Sequence, residues 1–256
     1  MTLDLPYLNP YDLKARLVPA VIATAPALAL AVTLVSWGSL GFSDTLIALA
    51  IGALLVVFSD LSRRLGKRLE PQIFKQTGGK PSTTLFRHRD GTFDGITKAR
   101  YRSYVAARLG EKAPSSEEEK TDPAAADAFY ERCVQWLIAK TRDTKKYRVL
   151  FNENITYGLR RNLYGLKWLG LGLNFLTLFV CALYFYIGDI FGFGPELRSR
   201  FLALVAIALI HAVYIIFVVN RQSVVDASKE YGRRLVLSCE TLMDEQPLKA
   251  YSARKK

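Results

Sequence analysis

Between Arg16 and Asp44 the chain reads LVPAVIATAPALALAVTLVSWGSLGFS (residues 17–43), 27 residues without a charge. A helix that crosses a bilayer needs about 20 predominantly apolar residues, so this run decides the fold class. Working outward, fifteen uncharged residues run from Thr45 to Ser59, 21 lie between Lys167 and Asp189, and 20 between Arg200 and Arg221. The second run is short, but it reaches the required length if Asp60 sits among the headgroups. The expected architecture is all-α: a polytopic membrane protein with four transmembrane helices (residues 17–37, 45–61, 168–187 and 201–219) and a helical cytoplasmic bundle. The expected parts are an N-terminal transmembrane hairpin (1–62), a basic cytoplasmic domain (63–164), a C-terminal hairpin (165–220) and a helical tail (221–256). A cleaved signal peptide does not fit the first run, which is too long and is followed at once by a second span.

Composition excludes several other classes. The 256 residues are 50% hydrophobic and 23% charged, with 14 Phe, 13 Tyr and 3 Trp, which rules out a disordered chain. Three cysteines (Cys133, Cys181, Cys239) without short spacing give no disulfide framework, and two histidines give no His-rich metal site. Orientation follows from the Lys and Arg residues. The segment from Arg63 to Tyr164 holds 22 of them against 12 Asp and Glu, while the link from Gly38 to Asp44 holds none. Basic residues stay on the cytoplasmic side, which predicts that both termini and the long basic segment face the cytoplasm. Most of the net charge of +12 then faces the inner leaflet. Anionic lipid accounts for that charge without direct nucleic-acid binding.

Within the spans, Pro19 is expected in a first helical turn, where its missing N–H is free, and Pro26 releases the carbonyl of Ile22. Ala23, Ala27 and Ala31, the pair Ala48 and Gly52, and the pair Ala208 and Ala212 form small-residue rows. Such rows let backbones approach, either between copies of the chain or inside one hairpin. The intramembrane polar candidates are Asn174 and His211, as gating groups or as interhelical hydrogen bonds. No acid or base lies near a span centre, which argues against a coupled transporter.

Outside the spans, residues 96–109 have the pattern of a helix with Asp94 at its start and Gly110 after its end, and Lys98, Arg100, Arg102 and Arg108 on its solvent face. Glu111 to Lys120 reads as a polar, mobile linker. Asp122-Pro123 opens a helix with the apolar row Phe129, Cys133, Trp136 and Leu137. Helical periodicity runs from Tyr147 into the third span and from Val224 to Met243 after the fourth, as an intracellular stalk.

Catalytic motifs fail on their spacing. Thr77-Gly78-Gly79-Lys80 ends like a phosphate-binding loop, but Pro81 replaces the magnesium-ligating hydroxyl and Phe74 the first glycine. His88-Arg89-Asp90 matches a kinase catalytic triplet, yet Gly95 stands where asparagine is required. An enzyme built on His88, Asp90 and Glu153 would rest on isolated groups. The sequon at Asn154 falls on the cytoplasmic face. No metal or organic cofactor is implied. The segment from Phe151 to Lys167 stands out for its charges, amides, aromatics and glycines. Glu153, Asn154, Tyr157, Arg160 and Arg161 cluster on one side of its helix, either as an interfacial network or as a contact site for a ligand or partner. Arg87, His88 and Arg89 are further contact candidates.

The stretch from Gly78 to Asp90, residues Thr97 to Tyr101, and Glu153 to Lys167 together resemble a set of bacterial four-span inner-membrane proteins. The chain also resembles the small multispan effectors of antiphage, abortive-infection systems. In motif terms the resemblance covers residues 75–170. It implies a homo-oligomeric effector without catalytic residues, paired with a cytoplasmic sensor protein encoded nearby, that disrupts the membrane. A non-conducting scaffold that recruits a soluble partner fits the same residues.

Overall fold

The computed structural model describes residues 9–34, 42–191 and 195–245. The first eight residues, the end of the first expected span with residues 38–41 of the link after it, residues 192–194 of the link after the third, and the last eleven residues lie outside that set. Every element among the described residues is helical. In chain order they are α1 (Pro10–Asp12), a π-helical turn (Leu13–Leu17), α2 (Val18–Leu34), α3 (Phe42–Lys75), α4 (Pro81–Thr84), α5 (Gly95–Leu109) and α6 (Ser116–Thr121). There follow α7 (Pro123–Lys140), α8 (Arg148–Gly165), α9 (Lys167–Phe191), α10 (Pro195–Val213), a second π-helical turn (Tyr214–Val218) and α11 (Arg221–Glu245). The chain forms two compact units, one of Met1–Pro71 with Gly158–Val224 and one of Gln72–Tyr157 with Val225–Lys256.

The first unit holds three helices long and apolar enough to cross a membrane: Pro10–Leu34, Lys167–Ile187 and Pro195–Val218, each with an 18-residue stretch whose mean hydropathy is 2.1, 1.8 and 2.8 respectively. The first part of α3 is shorter in its apolar run and does not reach that measure among the described residues. Helices α2, α9 and α10 pack on one another, and their inner contacts use small side chains. A Cβ on Gly170 would sit 3.2 Å from the carbonyl oxygen of Ala23. At the far end of the bundle Tyr184 stacks on Phe201, their centroids 3.8 Å apart. The small-residue rows therefore divide. Ala23 and Ala208 are fully buried, whereas Ala48 and Gly52 are exposed and a Cβ on Gly52 would meet nothing within 4 Å.

Pro19 is not in a first turn. Its helix starts at Pro10, where the Asn9 side chain accepts from the Asp12 N–H at 2.7 Å. The missing N–H of Pro19 therefore leaves an interior carbonyl, that of Ala15, without its normal donor. Pro71 lies inside α3, which continues to Lys75. The passage from α8 to α9 breaks only at Leu166, whose N–H still reaches the carbonyls of Asn162 and Leu163.

In the second unit, Asp94 caps α5 by accepting from the Thr97 N–H at 2.8 Å, and Gly110 closes it in the left-handed region at φ 69°. Asp122 caps α7, with Pro123 in the first turn. Helices α5, α7 and α11 share a core that includes Tyr101, Tyr104, Tyr130, Cys133, Leu137 and Leu235. A Cβ on Gly232 would lie 2.9 Å from the Ser82 nitrogen, so glycine is what lets α11 lie against α4.

Two expectations are corrected here. Residues 111–120 are not simply a linker: Ser115 and Glu118 form a reciprocal capping box that starts α6, and Glu119 is buried. Lys98 and Arg102 do not face solvent; they are 3% and 6% exposed and point inward at the loop before α5.

Candidate functional site

The apolar unit is joined at two points, each built on a proline of the first apolar helix. Pro26 cannot donate to Ile22, and the freed carbonyl accepts from His211 Nε2 of α10 at 2.8 Å. The other ring nitrogen, Nδ1, lies 3.2 Å from the Asn174 amide nitrogen of α9, which also donates to the Ala208 carbonyl at 2.9 Å. An amide nitrogen can only donate, so His211 Nδ1 accepts and the ring proton sits on Nε2. Asn174 and His211 thus tie α2, α9 and α10 together, and both are buried.

The second joint satisfies the carbonyl that Pro19 releases. The Asn162 amide of α8 donates to the Ala15 carbonyl at 2.6 Å, and Asn162 is fully buried. Its Oδ1 accepts from Arg161 Nε at 3.2 Å, while Arg161 reaches Glu70 of α3 at 3.3 Å. Glycines make the approach possible. A Cβ on Gly165 would fall 2.5 Å from the Gly66 nitrogen, and one on Gly158 would fall 2.9 Å from Ala15 Cβ. Lys167 Nζ then caps the end of the second π-helical turn through the carbonyls of Ile216 and Val219, at 3.0 and 2.7 Å.

Around this second joint lies a group of cations. Arg16 pairs with Asp12 at 2.7 Å. Lys67 is exposed, and the neighbouring Arg63 charge, followed by burial and by Arg161, holds its ammonium below the ordinary lysine range.

In the second unit the candidates Arg87, His88 and Arg89 sit on a loop fastened from four sides. Arg87 is buried and makes two bonds to Asp127, at 2.7 and 2.6 Å. The turn of Gly78 and Gly79, both at positive φ, passes over that guanidinium, so the sequence resembling a phosphate loop covers an arginine. Lys98 donates to the carbonyls of Arg87, His88 and Asp90. Arg102 donates to that of Phe86 at 2.9 Å. Glu119 accepts from the His88 N–H at 2.8 Å and from the Tyr130 hydroxyl at 2.6 Å. Burial pushes the Glu119 carboxyl up, but these bonds outweigh it and leave the group below its usual range. His88 Nε2 lies 3.0 Å from the Pro114 carbonyl oxygen, and Asp90 accepts from the Thr92 N–H. Of the three candidates only Arg89 is exposed.

The remaining candidates divide between the units. Tyr157 is buried in the second, stacked on Tyr231 at 6.2 Å and tilted against Phe74. Glu153 and Asn154 are half-buried there, as Arg160 is in the first unit. Burial pushes the Cys133 thiol up to about 12 and that of Cys239 further, so neither is poised as a nucleophile. Among the described residues no three His, Cys, Asp or Glu side chains gather as metal ligands. Sequence reading missed Asn162, Glu119 and Asp127, and it misplaced Lys98. Only Glu119 carried a local signal, the capping-box spacing of Ser115 and Glu118. No family model matches the chain, and no curated protein or solved structure matches it either.

Proposed function

We propose that the protein is an oligomeric effector of the bacterial inner membrane, part of an antiphage system, which a sensor protein triggers through the cytoplasmic unit. In this reading α2, α9 and α10 cross the bilayer, the first part of α3 supplies a fourth span, and both termini lie in the cytoplasm. The observation that carries it is the pair of proline joints. The first ties α2, α9 and α10 through the Ile22 carbonyl and the His211 imidazole, and the second ties the start of the first apolar helix to α8 through the Ala15 carbonyl and the Asn162 amide. Opening the first leaves a bare carbonyl in lipid. Such an element has discrete closed and open arrangements, which a trigger can bias by binding one more tightly than the other. Opening would compromise membrane integrity or potential. Catalysis is not part of the proposal, because His88 and Asp90 are spent on shaping their own loop.

The direct test is membrane potential in cells that carry the protein with its genomic neighbours, followed by a voltage-sensitive dye during phage challenge. Depolarisation at growth arrest supports the proposal; arrest with unchanged polarisation contradicts it.

A groove of about 420 Å³ in the second unit, lined by Glu111, Glu118, Asp122, Phe129 and Arg132, favours a second reading. There the protein is a non-conducting scaffold that recruits a soluble partner. Co-purification of that partner in detergent, with no conductance in planar bilayers, selects it.

A further inference from the structure

Two ion pairs and two further cations meet at the second joint. Ser62 of α3 donates to the Arg16 carbonyl at 3.3 Å, and the Lys67 ammonium lies in the fields of Arg63, Arg161, Arg16 and, with opposite sign, Glu70; Asp12 is paired to Arg16 and Glu70 to Arg161. Arg63 and Lys67 add two positive charges beside these pairs. Arg63 and Lys67 stand four residues apart on α3, hence on one face, and no carboxylate among the described residues forms an ion pair with either. Arg16 contributes a second sign of an absent acceptor: its Nε is buried and has no hydrogen-bond partner among the described residues.

Chain position fixes the depth of this cluster. Arg16 precedes the 27-residue uncharged run, Arg63 follows Ser59 by four residues, and Arg161 precedes Lys167 by six. All therefore belong to the same end of the apolar helices. Trp168, 80% exposed, opens α9 at that level, where amphipathic rings favour the headgroup layer.

The geometry points to a binding site for the phosphate of an anionic phospholipid headgroup, formed by Arg16, Arg63 and Lys67 beside the Arg161–Glu70 pair. Phosphate supplies several acceptor oxygens and a full charge, so one group can meet the Arg63 guanidinium and the Lys67 ammonium together. This inference rests on the proposed membrane placement of α2, α9 and α10.

The test uses the full-length protein in an uncharged detergent, with thermal midpoints recorded as lipid is added. Phosphatidylglycerol should raise the midpoint, and phosphatidylcholine and inorganic phosphate should not. The R63Q/K67Q double variant alters one half-buried and one exposed side chain and should fold. Its apparent phosphatidylglycerol affinity should weaken about thirtyfold, given a contribution of about 1 kcal/mol per basic residue near a charged membrane surface. The R142Q/K145Q control removes two exposed charges from the second unit and should respond like the parent protein. Equal responses of parent and R63Q/K67Q, or equal losses in both double variants, would overturn the site. A full response to inorganic phosphate would overturn the lipid assignment. A protein that stays soluble without detergent would instead overturn the membrane reading itself.

Discussion

If His211 exists to satisfy the carbonyl that Pro26 releases, the two residues must be energetically coupled although 185 positions separate them. The perturbations are His211→Leu and Pro26→Ala, singly and together. Leucine fills the imidazole volume but removes the 2.8 Å bond to Ile22 and the 3.2 Å bond from Asn174. Interhelical hydrogen bonds in membranes average about 0.6 kcal/mol and reach about 1.7, so His211→Leu should cost about 2 kcal/mol. In the Pro26→Ala background the restored backbone N–H takes the Ile22 carbonyl and the helix repairs itself. His211→Leu should then cost about 1 kcal/mol less than in the parent protein. Independent sites are additive within about 0.5 kcal/mol, so this coupling is resolvable. The assay is reversible unfolding in mixed micelles of uncharged detergent and dodecyl sulfate, followed by far-ultraviolet dichroism. Strict additivity would refute the idea that the histidine serves the proline.

Gly165→Ala would place a Cβ 2.5 Å from a backbone nitrogen of α3, and backbone cannot rotate away. The helices must part, and overpacking of this kind costs about 1–3 kcal/mol. Gly52→Ala, with nothing within 4 Å, should be neutral or slightly stabilising in the same unfolding assay. Lys98→Met would leave three carbonyls of the Arg87–Asp90 loop without their donor, a loss of about 3 kcal/mol for bonds to a buried charge. Limited proteolysis should then cut the variant between residues 85 and 93, and should leave that stretch intact in the parent protein. Glu119 titrates below its ordinary value of 4.5 when folded, so it contributes stability above that value and loses it as pH falls through the folded pKa. Tyr130→Phe removes one bond to the carboxylate and should shift the acid-induced loss of near-ultraviolet dichroism to higher pH.

Local chemistry is legible in the sequence at several helix ends, though not at the Ser115–Glu118 capping box. Asp94 and Gly110 bound α5 as their types require, and Asp122-Pro123 opened α7. The released carbonyl of Ile22 was equally plain, since it follows from Pro26 alone. Its donor was not, because His211 meets it only through tertiary packing. Lys98 and Arg102 were misplaced for a related reason: periodicity assigns basic residues to solvent, and the backbone carbonyls that receive them lie on a loop without periodicity. Pro19 was misread because Asn9-Pro10 starts the helix earlier than the apolar run does. The Arg161–Glu70 pair spans 91 residues and joins helices that no pattern in either segment links.

All of this depends on the apolar helices being embedded in lipid, with the basic unit inside the cell. The three native cysteines are buried, so a single exposed cysteine introduced as Lys120→Cys reports the side of the membrane without further changes. In spheroplasts, a membrane-impermeant maleimide should label that variant only after the membrane is permeabilised. Full labelling in intact spheroplasts would contradict the account.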